Sequence, residues 1–169
     1  MFETNRLTLT RFSADDCEFI LELVNEASFE RYLGDKGVRT PDDAHDYLRS
    51  RVFEHYEQHG FGLYRVALRT DGTPVGMCGL VKREEFPDPD LGFAFLNAHW
   101  SQGYAYEASA AVLDYGRSTL GLQRILAMAD SDNGSSVRLL EKLGFVFEQM
   151  VRMPGEAVDV CQYGFEPGQ

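Results

Sequence analysis

The stretch "LGFAFLNAHWSQGYAYEA", Leu91 to Ala108, decides how the chain is read. Its first half, Leu91 to Asn97, is a short apolar run suited to a buried strand. Its end opens a helix with Ala105, Ala108, Val112 and Tyr115 facing inward, and Gly121 closes that helix. Between them, Ser101-Gln102-Gly103-Tyr104-Ala105 is a strand-to-helix turn with small residues at 103 and 105. The first N–H groups of a helix lack partners inside it, and that end carries about half a unit of positive charge. Where small residues lead into such an end, an anion can approach the backbone closely, and phosphate is the usual guest. The glycines do not fit the dinucleotide fingerprint G-x-G-x-x-G, and the Gly-Lys-Ser/Thr of a P-loop is absent.

Outward from this turn, the chain alternates strands and helices. "RLTLTRF" (Arg6–Phe12) has a strand's alternation. Ser13 then caps a helix expected to run to about Ala27, with Asp15 and Asp16 in its first turn. A second helix has Thr40 as cap, Pro41 first and Gly60 as its stop. Phe61–Arg69 and Val75–Arg83 read as an antiparallel pair joined by "TDGTP". An acidic loop, Glu84–Asp90, leads into the strand at 91–97. Gln123–Asp130 is a further strand and Asn133–Gly144 a short helix. Two last strands form a hairpin around Pro154-Gly155-Glu156. The strand–helix–strand unit at 91–130 requires a right-handed crossover, so its two strands are expected to be parallel. The short connections elsewhere predict antiparallel neighbours. The expected fold class is α/β in the α+β sense: about seven strands in a mixed sheet, with helices on both faces.

Composition narrows the function. The 169 residues suggest one domain spanning 1–169, long enough to bury its own core. The chain is 44% hydrophobic and 25% charged, as soluble globular proteins are. No apolar run approaches the roughly 18–20 residues that span a membrane, and no secretory signal opens the sequence. Cys17, Cys78 and Cys161 are far apart and form neither a disulfide framework nor a zinc spacing, which fits small buried side chains in a reducing cytoplasm. The formal net charge of −11 argues against nucleic acid and suits a cationic substrate such as an amine. His55 and His59 are four apart on one helix, but no third ligand accompanies them, and no metal is expected.

Two segments together resemble the GNAT N-acetyltransferase family, in its RimJ/RimL-like branch. The family's acyl-CoA signature is Gln/Arg-x-x-Gly-x-Gly/Ala, matched by Trp100-Ser101-Gln102-Gly103-Tyr104-Ala105 with Trp at the first position. "WSQGYAYEA" is close to the branch's W-G-x-G-Y-A-x-E-A, and "DNGSSVRLLEKLGF" to its Asn-x-x-Ser with an "EKLGF" ending. The resemblance implies a GNAT fold whose central parallel pair splays apart. It implies acetyl-CoA as cosubstrate, its diphosphate on the N–H groups of Gln102, Gly103, Tyr104 and Ala105. Its pantetheine arm would run beside Phe93, Ala94 and Phe95, with Asn133 bonding to the pantetheine or near the departing sulfur and a bulge at Gly92 opening the cleft. Arg138 and Lys142 are candidates for the 3′-phosphate.

Acetylating an amine requires loss of the amine's proton, a donor for the developing oxyanion, and a proton or hydrogen bond for the departing thiolate. An α-amine, with a pKa near 7.7–8.0, is the easier client at neutral pH than a lysine-type amine near about 10.4. Candidate bases stand before the central strand: Glu84, Glu85, Asp88 and Asp90. Of these, the resemblance favours Asp90, acting directly or through water. It also implies an N–H near Phe95 as the oxyanion donor and Ser136, at the Asn-x-x-Ser position, as the acid. Trp100 is expected to anchor the turn against the core. Glu107 is expected to support the helix start, although its charge competes with a phosphate.

The reading that results is acetyl transfer by direct attack in a ternary complex. Its rival is a non-catalytic CoA-binding module on the same fold. The acceptor stays open between a protein N-terminus and a small cationic metabolite. The oligomeric state stays open between monomer and homodimer.

Overall fold

The structure is a computed structural model that describes residues 2–153 and 158–166. Among the described residues, eight strands form one sheet in the order β1-β2-β3-β4-β5-β6-β8-β7. They are β1 (Phe2–Glu3), β2 (Leu7–Arg11), β3 (Leu63–Leu68), β4 (Pro74–Val81), β5 (Asp90–Phe95), β6 (Ile125–Ala129), β7 (Val146–Arg152) and β8 (Asp159–Phe165). The strand missing from the expected seven is β1, whose two residues pair with β2 and are too short to show alternation. Every pairing is antiparallel except β5 with β6. The turn expected at Pro154-Gly155-Glu156 lies outside the described residues.

Between β2 and β3 the chain is more broken than its pattern predicts. Ser13 forms a capping box with Asp16 around a 3₁₀ turn at Ala14–Asp16, and α1 runs only over Cys17–Val24. The helix does not reach Ala27. The Asn25 side chain donates to the carbonyls of Leu21 (2.7 Å) and Val38 (2.9 Å), and this local bonding competes with the helix. A separate helix, α2 (Ala27–Leu33), follows. The next helix starts as expected, with Thr40 and Asp43 in a capping box and Pro41 first, as α3 (Pro41–Leu48). It widens into a π turn at Arg49–Phe53 and continues as α4 (Glu54–His59) to Gly60.

Two cores lie on opposite faces of the sheet. On one, α5 (Tyr104–Ser118) and α6 (Gly134–Lys142) bury Ala108, Val112 and Leu140 against Leu80, Leu91, Phe95 and Ile125. On the other, α1 to α4 bury Ile20, Leu23, Leu48 and Val52 with Met77 and Leu96. Apart from Ala108, each of these buried side chains contributes about 1.5–3 kcal/mol. Consecutive strand residues alternate between the faces, so β5 sends Leu91, Phe93 and Phe95 to the first core and Ala94 toward the second.

Candidate functional site

The central parallel pair is nearly unzipped. Strands β5 and β6 pair only at Asp90↔Leu126 and Leu91↔Ala127. Beyond Leu91 no ladder joins them, although β5 runs to Phe95 and β6 to Ala129. The β4–β5 register from Gly76↔Phe95 to Val81↔Asp90 has no shift, so the expected bulge at Gly92 is absent. The opening comes from divergence of β6, which pairs along its whole length with β8 instead. Because the strands are parallel, the helices after them begin at the same edge. The starts of α5 and α6 therefore flank the mouth of the opening.

The main-chain groups facing the opening follow from the ladder. The Leu96 N–H donates to the Val75 carbonyl across 3.0 Å, so even-numbered residues of β5 turn their N–H and C=O groups to β4. Phe93 and Phe95 turn theirs the other way, to where β6 has parted. Ala94, predicted beside them, has its main chain directed at Met77 of β4. The Phe95 carbonyl accepts the Trp100 indole N–H across 2.8 Å. Trp100 is 43% exposed, so it holds the turn by this hydrogen bond and not, as expected, by packing into the core.

At the turn, Gly103 is the cap of α5 with φ +80°, a left-handed conformation that glycine adopts without strain. Ser101 has φ +60°, the one non-glycine positive value among the described residues. The first helical bond runs from the Glu107 N–H to the Gly103 carbonyl (3.0 Å), and no side chain caps the helix. The N–H groups of Tyr104, Ala105 and Tyr106 thus precede the first turn's acceptors. Together with Gly103 they form a donor cluster for an anion.

At the other side of the mouth, Asn133 caps α6, its side-chain oxygen accepting the Ser136 N–H across 3.2 Å. The Asn133 amide NH₂ is left to act as a donor. Ser136 is half-buried, and its hydroxyl makes no hydrogen bond among the described residues.

Asp90 is the first residue of β5 and not, as expected, the last of the acidic loop; it is 2% exposed. It sits at the closed end of the opening, where β5 still pairs with β6. Arg83 Nε donates to its Oδ2 across 2.7 Å. Burial raises its carboxyl above the ordinary range, and the opposing pull of Arg83 does not cancel that. Of the other acids, Glu84 and Glu85 are exposed, and Asp88 pairs with Arg124 at 3.4 Å. A cleft of about 510 Å³ lies between this loop and the last hairpin, lined by Glu85, Asp88, Arg124, Leu126, Gln149 and Gln162.

The His55 ring is fully used: Nε2 accepts the Lys82 N–H (2.9 Å), which leaves the proton on Nδ1, facing the Phe61 carbonyl (2.8 Å). Among the described residues, no group of three or more potential ligands is placed to hold a metal. No helix among them is long and apolar enough to cross a membrane.

Sequence reasoning missed Arg6. A second cleft of about 540 Å³, beside the α5 turn, is lined by Arg6, Gly103, Tyr106, Glu107 and Lys142 among others. Lys142 lies over the Tyr106 ring, 4.5 Å from its centroid. The Arg138 guanidinium is folded back, its Nη1 3.2 Å from where a side chain at Gly134 would begin. Arg6 bonds to residues about a hundred positions away, and nothing in its own neighbourhood of sequence signals that.

Comparison with known proteins agrees with this geometry. The family model of the GNAT acetyltransferase domain matches residues 6–146. An uncharacterized N-acetyltransferase of Bacillus subtilis, YoaA, is 29% identical over 154 residues, covering 90% of this chain and 86% of that protein. A ribosomal-protein-serine acetyltransferase structure from Vibrio cholerae, so named provisionally, superposes with TM-score 0.80 at 21% identity, covering 98% of this chain and 96% of the other. The spermidine N-acetyltransferase of Vibrio cholerae, in complex with CoA and spermine, gives 0.79 at 20% identity and 96% of each chain.

Proposed function

The chain belongs to the GNAT acetyltransferase family, and from that premise we propose that residues 1–169 form one domain that transfers the acetyl group of acetyl-CoA to a primary amine. Attack is direct, within a ternary complex. The observation that carries this reading is the β5–β6 ladder ending at Leu91↔Ala127, with the uncapped start of α5 at the mouth of the opening.

The residues present fit the coenzyme. The N–H groups of Gly103, Tyr104 and Ala105 bind its diphosphate, the Gln102 carbonyl being turned aside to Arg6. The Phe95 N–H and the Phe93 carbonyl pair with its pantetheine arm as a missing strand would. Ala94 offers that arm no main-chain group, so its part is to leave room. The Asn133 NH₂ holds the thioester end. Acetyl-CoA supplies the activated acyl group. The Phe93 N–H, the next freed donor deeper in the opening, donates to the carbonyl oxygen as it gains charge. Asp90, from the closed end of the opening, takes the amine's proton directly or through water. Ser136, with an unengaged hydroxyl at the first turn of α6, gives a proton to the departing thiolate. No covalent intermediate on the enzyme is invoked.

The acceptor enters on the Asp90 side, past the cleft between the acidic loop and the last hairpin. A cationic acceptor is supported by the net charge of −11 and by the relatives, whose names include spermidine and ribosomal-protein acetyltransferases. A protein N-terminus and a small polyamine-like cation are the two classes to test. The experiment is a thiol-release assay with acetyl-CoA and a panel of primary amines, products identified by mass. Transfer to at least one amine is expected. Binding of CoA with no release above the solvent rate across the panel returns the non-catalytic alternative.

A further inference from the structure

The N-terminal segment reaches across to the turn at 101–105 through one carboxylate and one guanidinium. The Thr4 hydroxyl donates to Glu107 Oε1 at 2.6 Å, and the Arg6 main-chain N–H donates to the same oxygen at 2.8 Å. Arg6 Nε donates to Glu107 Oε2 at 2.7 Å. The other arm of that guanidinium, Nη1, donates to the Gln102 carbonyl at 2.9 Å. Its carbon lies 4.7 Å from the centre of the Tyr104 ring. One side chain therefore touches the turn on both sides of Gly103. The segment that bears it is itself held: the Leu7 N–H donates to Thr4 Oγ1 (3.0 Å), and Arg69 Nη1 to the Thr4 carbonyl (2.9 Å).

The arrangement solves a problem that glycine creates. A left-handed glycine permits close approach of a ligand, but it also lets the peptide before it rotate. The peptide bond is planar and trans, so the Gln102 carbonyl and the Gly103 N–H point in opposite directions. Holding the carbonyl fixes the N–H. A rotated peptide would present the carbonyl's negative end where the donor belongs. Arg6 also offsets the charge of Glu107, one turn inside a helix whose start is read as binding a dianion.

We propose that Arg6 is a positioning residue of the coenzyme site: it locks the Gln102–Gly103 peptide so that the donors at the start of α5 are set for a diphosphate before the coenzyme arrives. This rests on the reading of that turn given under the proposed function. Lysine cannot replace Arg6, because one ammonium does not span the Glu107 carboxylate and the Gln102 carbonyl as a planar fork does.

The test is calorimetry with CoA and with dephospho-CoA, which keeps the diphosphate and lacks the 3′-phosphate, on the wild type and on Arg6→Gln, Arg6→Lys and Thr4→Val. Arg6→Gln is expected to weaken both ligands equally, by about tenfold or more, as losing a charge-assisted hydrogen bond does. Arg6→Lys is expected to lie near Arg6→Gln. Thr4→Val loosens the Glu107 contact without touching Gln102, so it is expected to melt earlier yet keep wild-type affinity. Equal affinity in wild type and both Arg6 variants overturns the proposal. So does a loss confined to CoA, which makes Arg6 a 3′-phosphate ligand, and so does full rescue by lysine, which makes it a bare charge. A matching loss in Thr4→Val overturns it too, by reducing Arg6 to a structural staple. Should Arg6→Gln fail to fold, Arg6→Lys decides alone. A wild type that binds neither ligand removes the diphosphate reading itself, a result distinct from all of these.

Discussion

The Trp100 indole N–H rests on the Phe95 carbonyl, 2.8 Å away, and so ties the last residue of β5 to the turn that begins α5. The bond occupies one of the main-chain groups that would otherwise face the opening between β5 and β6. It leaves the neighbouring N–H to meet the coenzyme. Trp100→Phe keeps a ring and loses the donor. Its Kd for CoA is expected to rise about fivefold, the worth of one neutral hydrogen bond. Calorimetry measures this, and an unchanged Kd means that the bond is incidental to the site.

Gly103 combines φ +80° with the place proposed to lie closest to the coenzyme's diphosphate. A side chain there begins 3.3 Å from Arg6 Nη2. Gly103→Glu adds left-handed strain of about 1–2 kcal/mol and a negative charge among donors meant for an anion. CoA binding is expected to vanish from calorimetry while the far-UV spectrum stays that of the wild type. Retained micromolar binding in this variant places the coenzyme elsewhere.

Ser136→Ala removes a hydroxyl that makes no hydrogen bond among the described residues and leaves the Asn133 cap intact, since that cap uses the Ser136 main-chain N–H. Stability and the KM for acetyl-CoA are expected to hold. The kcat is expected to fall by about 10²-fold, the low end for lost acid catalysis. A full turnover number takes Ser136 out of the mechanism.

Asp90→Asn separates two effects by pH. Burial raises the Asp90 carboxyl against the pull of Arg83, so the folded protein holds this proton to higher pH than the unfolded chain does. The stabilisation from Asp90 is then complete below the unfolded value of about 3.9 and is lost as pH rises through the higher folded value. Asparagine has no such proton. The melting temperature of Asp90→Asn relative to wild type is expected to climb across that window. A relative melting temperature that falls there contradicts the sign. In the assay, kcat is expected to drop by about 10²-fold or more with CoA affinity unchanged.

Much of this was written locally. The cap and proline at Thr40–Pro41, the glycine stop at 60 and the alternation of Leu7 to Arg11 are patterns within a few residues, and each is met in the fold, whereas α5 ends at Ser118 with Thr119 as its cap, short of Gly121. The two motif segments were legible for the same reason, since a helix start needs only its own turn residues. The break at Asn25 was not, because the side chain there also reaches Val38 on another part of the chain.

By itself the sequence determined the order of the seven longer strands, the one parallel pair and the bare turn at 101–105, all properties of neighbouring residues. Only the tertiary structure decided where the parallel ladder stops, that Asp90 is buried against Arg83, and that Arg6 holds Gln102 and Glu107 from about a hundred residues away. Those are contacts between distant segments. They depend on how β6 leaves β5 to follow β8 and on where β2 delivers its preceding turn, and no short-range periodicity encodes either.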